Sequence, residues 1–219
     1  MKHLLTIVFI NYFITSIYAQ ETIKDIDGNT YHTILIGSQH WMAENLKVTH
    51  YNDGTIIPLI MDEDEWSKLI TGAYCLTEEN PENYKNTYGI LYNFYTLIDN
   101  HKLCPDNWHV PTASEWKVLI NFLGGKKIAG GQMKDPDSNL WKVSIKNANN
   151  NIGFSALPAG GRGRLGSVGE LGNYATWWSS TSEDSEYAWH WGLYPDKNDI
   201  RFNPGHKASG FSVRCVKDN

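Results

Sequence analysis

Trp108-His109-Val110-Pro111-Thr112-Ala113-Ser114-Glu115-Trp116 reads as a strand, a corner and a helix start in one short run. Trp108–Val110 has the aromatic and β-branched content of a strand. Thr112 can cap the helix with its hydroxyl, and Glu115 three residues on completes a capping box. Trp116, Leu119, Ile120 and Leu123 then fall on one helical face. Gly124-Gly125 supplies the stop.

Outward from that run, the N-terminal side is short strands and tight turns. Ile26-Asp27-Gly28-Asn29 is a turn signal, Thr30–Ile36 a strand, Gly37-Ser38 a second turn, and Gln39–Ala43 the returning strand. Asn52-Asp53-Gly54 marks another turn. Tyr88 to Asp99 places Ile90, Leu91, Phe94, Tyr95 and Ile98 at helical spacing, which predicts a second main helix. Toward the C-terminus, Gly160 to Gly166 is a Gly-rich loop expected to be exposed. Residues 187–194 and 199–203 read as strands joined by a Pro195-Asp196-Lys197-Asn198 turn, and Gly210–Val216 as the final strand. Short antiparallel strands with two main helices define an α+β fold.

The chain has 219 residues, 41% hydrophobic and 20% charged, with a formal net charge of -5. That composition describes a globular protein and offers no basic field for nucleic acid. The pair Lys126-Lys127 reads as a solvated turn. Residues 1–19 form an expected signal peptide: Lys2 and His3, an apolar run over Leu4–Ile14, and Ala19 before the cleavage point. The run is too short for a membrane anchor. The remainder, 20–219, is read as a single domain, exported and not inserted in the membrane after cleavage. Export permits a disulfide, and Cys75, Cys104 and Cys215 allow three pairings with one thiol left over. A Cys104–Cys215 bridge would close a loop of about 110 residues, with Cys75–Cys215 as its rival.

Several landmarks occur together and in order: Trp41-Met42-Ala43-Glu44-Asn45-Leu46, Tyr51-Asn52-Asp53-Gly54, Gly72-Ala73-Tyr74-Cys75, Tyr88-Gly89-Ile90-Leu91-Tyr92-Asn93, Gly153-Phe154-Ser155-Ala156-Leu157-Pro158, Trp177-Trp178-Ser179-Ser180-Thr181 and Gly210-Phe211-Ser212-Val213-Arg214-Cys215-Val216. With them the chain resembles the Fibrobacter succinogenes major paralogous domain family, from about Ile23 to Lys217. That pattern is similar in turn to the C-type lectin-like fold and its formylglycine-generating-enzyme branch. The resemblance implies C-type lectin-like architecture in an exported bacterial protein, secreted or at the cell surface.

The enzyme branch would need paired reactive cysteines in the C-terminal part, and only Cys215 stands there. Ser179, Ser180 and Thr181 have no nucleophile elbow around them. Asp62-Glu63-Asp64-Glu65 is a solvated turn or helix start, not an acid/base pair. Asp135-Pro136-Asp137-Ser138-Asn139 alternates oxygen ligands but lacks the Gly and bidentate Glu of a calcium loop. Asn80-Pro81-Glu82 has the residue types of a lectin sugar tripeptide, yet precedes the helices where that tripeptide follows them. The reading is therefore non-catalytic, with no metal and no cofactor.

The aromatic C-terminal region remains. Strand alternation over 187–194 sends Trp189, Trp191 and Leu193 inward and Ala188, His190, Gly192 and Tyr194 outward. Ile200 and Phe202 then point in, Arg201 and Asn203 out. His190, Tyr194, Asn198, Asp199, Arg201 and Asn203 combine flat rings with hydrogen-bonding groups, the chemistry that stacks on carbohydrate or grips a surface protein. The expected function is a binding module for carbohydrate or a protein at the cell surface. The alternative is a structural cell-surface assembly module with no small ligand.

Overall fold

The computed structural model describes residues 21–76, 81–143, 145, 148–169 and 171–218. The expected signal peptide, 1–19, lies outside the described residues. Strands β1 (Thr22–Lys24), β2 (Thr30–Ile36) and β3 (Gln39–Met42) follow the two expected turns. Helix α1 (Glu63–Ser67) starts where Asp62 Oδ1 accepts the Glu65 N–H at 2.8 Å, so the acidic run is a capped helix start. Strand β4 (Tyr74–Cys75), helix α2 (Pro81–Tyr88), strand β5 (Leu91–Asn93), the single turn α3 (Phe94–Leu97) and strand β6 (Trp108–His109) come next. They lead into α4 (Ala113–Phe122) and the short α5 (Ala129–Met133). The C-terminal strands are β7 (Ala175–Ser182), β8 (Tyr187–Leu193), β9 (Ile200–His206), β10 (Gly210–Phe211) and β11 (Val216–Lys217).

Three antiparallel sheets result among the described residues, in the orders β1-β2-β3-β11-β6, β10-β5-β4 and β7-β8-β9. With five helices beside them, this is the expected α+β class. The strand–corner–helix run has the form its sequence dictates. Thr112 Oγ1 accepts the Glu115 N–H at 3.2 Å, and Glu115 Oε2 accepts the Thr112 N–H at 2.7 Å. His109 sits between Glu115 Oε1 (2.8 Å) and Asp218 Oδ1 (2.6 Å), tying the cap to the chain's C-terminal end.

Two expected elements differ. The helix expected over Tyr88–Asp99 is reduced to the single turn α3, behind strand β5, and the longer helix α2 ends at Tyr88. Gly89 breaks it at φ 80°, in a spot where a Cβ would stand 2.8 Å from the Leu46 carbonyl oxygen. Leu91, Tyr92 and Asn93 are wholly buried between β4 and β10. A short apolar run buried on both sides satisfies a helical pattern and a central strand equally, and tertiary pairing chose the strand. The expected final strand is also two strands in different sheets. Phe211 pairs with Tyr92, whereas Val216 pairs with Trp41 and His109. Between them the Ser212, Val213 and Cys215 carbonyls accept from the Trp178, Leu46 and Met42 N–H groups, so the crossing backbone stays satisfied.

The crossing carries the disulfide. Cys104 and Cys215 are bridged with Cα atoms 6.0 Å apart and 111 residues of separation, and Cys75 is a buried free thiol. Burial pushes the Cys75 thiol up to about 12, which keeps it protonated and inert.

Strand β7 explains the tryptophan density. Trp177 and Trp178 are adjacent, both wholly buried, and point to opposite faces. Trp177 joins Trp116 (6.1 Å) and Phe154 (5.7 Å) in one core. Trp178 joins Phe211 (4.5 Å) and Phe94 (5.5 Å) in the other. Each indole N–H is satisfied, on Asn45 Oδ1 at 2.8 Å and on the Tyr92 carbonyl at 2.9 Å. Arg162, in the Gly-rich loop expected to be exposed, is 1% exposed. It donates to the carbonyls of Gly166, Ile60, Met61 and Asp62 and lies over Trp66, pinning that loop to the start of α1.

Candidate binding site

The β8–β9 turn is built around a buried ammonium. Lys134, at the end of α5 and 0% exposed, donates through Nζ to the carbonyls of Tyr194 (3.1 Å), Pro195 (3.1 Å) and Lys197 (2.6 Å). Burial pulls its pKa down to about 8. Gly130 of the same helix lets the turn approach, since a Cβ there would stand 2.8 Å from the Asn198 carbonyl oxygen. The Ile200 N–H donates to the Lys126 carbonyl at 2.9 Å, which joins the loop after α4 to the start of β9.

That junction forms an open hollow of about 190 Å³, lined by Lys126, Lys127, Asp199, Arg201, Phe202 and Asn203 among others. Arg201 lies over the Tyr194 ring at 4.7 Å and sets its Nε 3.9 Å from Asp199 Oδ2. Three cations thus face one carboxylate beside two aromatic rings. Phe202 packs against Trp189 at 4.2 Å, stacked within 13°, and against Trp191 at 4.4 Å, with Lys117 Nζ 5.5 Å from its centroid.

Of the expected site residues, Asp199, Arg201 and Asn203 line this one hollow, and Tyr194 joins them through Arg201. Asn198 belongs to the turn, with its Oδ1 buried and without a hydrogen-bond partner. His190 does not join them. Its ring is packed 4.6 Å from Phe211 and 6.0 Å, edge on, from Trp178. His190 is half-buried, and its neighbours on that face, Ala188 and Gly192, are buried. The expectation of an outward face over 188–192 is corrected for a physical reason. Phe211 of β10 covers this side of β8, so this stretch of β8 meets protein on both faces and alternation cannot tell in from out. Trp189, expected in the core, is instead half-buried at the rim against Phe202.

Burial holds the His190 imidazole down to about 4, and its Nδ1 is buried with no partner. The ring is therefore neutral, with a hydrogen bond to the Asn203 backbone as its one polar tie. Sequence reasoning missed Lys126 and Lys127, read as a solvated turn, and Phe202, read as core. The density of Lys126-Lys127 right after the Gly-Gly stop was the available signal. For Lys134 no sequence signal existed, because a lone Lys reads as surface.

This is a disulfide-linked α+β domain whose C-terminal sheet carries a basic, aromatic rim. Its chain belongs to the Fibrobacter succinogenes major domain family, whose model matches residues 34–217. Comparison with curated proteins and with solved structures returned no match. Among the described residues, no helix is long and apolar enough to cross a membrane.

Proposed function

We propose that this domain is a non-catalytic binding module of the bacterial cell exterior, and that its ligand is carbohydrate bearing acidic groups. The observation that carries the reading is the rim hollow, where Lys126, Lys127 and Arg201 face the single carboxylate of Asp199 beside Tyr194 and Phe202. Flat rings match the apolar face of a sugar, and guanidinium and ammonium groups match its carboxylate or sulfate. The disulfide supports an oxidising compartment. The strand, the capped helix and the C-terminal strand beside β3 support C-type lectin-like architecture.

The test is titration of intrinsic tryptophan fluorescence with oligogalacturonate and with a neutral oligosaccharide of equal length. Trp189 and Trp191 stand beside Phe202 and serve as reporters. Binding of the acidic ligand should weaken as salt rises, and Arg201→Ala should weaken it about ten-fold, as loss of a charge-assisted contact does. Equal response to both ligands, or indifference to Arg201→Ala, defeats the reading.

A second reading, a surface protein as partner in an assembly module, is favoured by a different observation. Val118 (48%), Phe122 (61%) and Ile128 (50%) are exposed on and after α4, next to Lys126-Lys127. Phe122→Ser and Ile128→Ser would then abolish capture of one stoichiometric envelope protein while leaving oligogalacturonate binding unchanged.

A further inference from the structure

A second cavity, of about 120 Å³, opens between the Ala43–Lys47 segment, α2 and the residues around Asp135 and Ser155. Arg214 lines it and is only 1% exposed. Its Nε donates to Asn45 Oδ1 at 2.8 Å, its Nη1 to the Phe154 carbonyl, and its Nη2 to the Ser155 carbonyl at 3.2 Å. A guanidinium has five N–H donors, so three bonds leave two donors over. No carboxylate among the described residues pairs with it, unlike the usual arrangement of a buried cation. The Phe154 ring lies 4.0 Å from the guanidinium carbon and the Trp177 ring 5.5 Å, and the charge of Glu44 acts on the group without a salt bridge. Desolvation is deep enough to pull Arg214 down to about 9.

The backbone around the guanidinium is held in place at a cost. Ser155 stands at φ 48°, kept there by Asn150, whose Oδ1 accepts the Ser155 N–H at 2.7 Å and whose Nδ2 donates to Ser155 Oγ at 2.8 Å. Strained residues of this kind persist where the surroundings over-determine them, often at ligand sites. The bridge between Lys134 and Ala156 sets Asp135 beside the same opening.

The charges around the cavity balance. Lys47 adds a second cation to Arg214, and Glu44 and Asp135 supply two carboxylates. Glu44 is held by the His32 N–H (2.9 Å) and ring (2.6 Å), and Asp135 Oδ1 accepts the Asp137 N–H (3.0 Å). Both carboxylates keep free lone pairs. A bare anion would meet the two carboxylates, and a metal cation would meet the guanidinium and the ammonium. A small molecule carrying one carboxylate and one ammonium meets neither conflict. The volume equals the share of about four liquid waters, which suits a ligand of a few heavy atoms.

We propose that this cavity binds a small zwitterion of the α-amino-acid class. The carboxylate is read by Arg214 and Lys47, and the ammonium by Glu44 and Asp135. The site is separate from the rim hollow and does not depend on that reading.

The test is calorimetric titration of the full disulfide-bonded protein with glycine, alanine, serine, acetate and methylammonium. Saturable binding is expected for at least one amino acid, with acetate and methylammonium each about ten-fold weaker or worse. Asn86 is exposed at the mouth, so Asn86→Trp should block binding without lowering the melting temperature. Lys47→Met should weaken binding about ten-fold, and Arg201→Ala should leave it unchanged. No saturable binding of the three amino acids overturns the proposal. So does acetate that binds as well as they do, or an Asn86→Trp variant that binds them normally.

Discussion

The most decisive perturbation is protonation of His190. Its ring is enclosed by Trp178 and Phe211, and Nδ1 has no partner to share a positive charge. The folded protein therefore holds it at about 4, against an ordinary 6.5. Between those two values the unfolded chain binds a proton that the folded chain does not, so stability falls as pH falls from 6.5 through 4. Each ten-fold loss of proton affinity on folding is worth about 1.4 kcal/mol, so the full loss approaches about 3 kcal/mol, an upper figure because the ring keeps some exposure. That is a large share of the marginal stability of a domain. The variant His190→Phe keeps the ring volume and removes the titration. Urea unfolding should be measured for both proteins at about pH 7.5 and about pH 4.5, where most of the linkage is expressed. At the higher pH the variant should lie within about 1 kcal/mol of the wild type, since the loss of the unpaired Nδ1 offsets the loss of the hydrogen bond to the Asn203 backbone. On acidification the wild type should lose about 2–3 kcal/mol more than the variant. Parallel losses in the two proteins would refute the claim that His190 is a neutral core group. Lost carbohydrate binding in His190→Phe, with stability intact, would return the residue to the ligand site.

Other expectations follow from the same contacts. Cys104→Ser with Cys215→Ser should destabilise the protein by roughly 5 kcal/mol, from opening a 111-residue separation; a denaturant midpoint equal to that of the bridged protein would contradict it. Lys134→Met strips three carbonyls of their shared donor and should cost about 2–4 kcal/mol, measured by urea unfolding, with weaker oligogalacturonate binding because the Tyr194–Asn198 turn loosens. Unchanged stability would mean that water replaces the ammonium. Asn45→Leu leaves the Trp177 Nε1 and Arg214 Nε donors without an acceptor and should cost about 3–5 kcal/mol; thermal melting within a degree or so of wild type would rule that out.

Much of the fold is legible in local chemistry. The capping box at Thr112 and Glu115, the Gly124-Gly125 stop, the Gly28 and Gly54 turns and the Asp62 cap each depend on residues a few positions apart, so sequence alone carries them. Trp177 and Trp178 are wholly buried, as large apolar side chains usually are. The disulfide was legible only to the extent that three cysteines allow three pairings; which one forms depends on β11 lying beside β3 and β6.

The candidate site divides in the same way. Asp199, Arg201 and Asn203 are close in sequence on one strand start, and alternation placed the exposed Arg201 and Asn203 correctly. His190 was misplaced because alternation assumes that one face of a strand meets water, and β10 removes that water by leaving this sheet to pair with β5, so that Phe211 lies over the ring. Lys126, Lys127 and Phe202 become one hollow only because Ile200 bonds the Lys126 carbonyl. Lys134 and Arg214 are the extreme cases. A buried cation has no local signature, since its stabilising oxygens are carbonyls contributed from far along the chain. The sequence by itself determined where elements begin and end, through caps, turns and glycines that act over a few residues. Only the tertiary structure decided which faces are dry and which charges meet, because both depend on contacts between segments the chain order keeps apart.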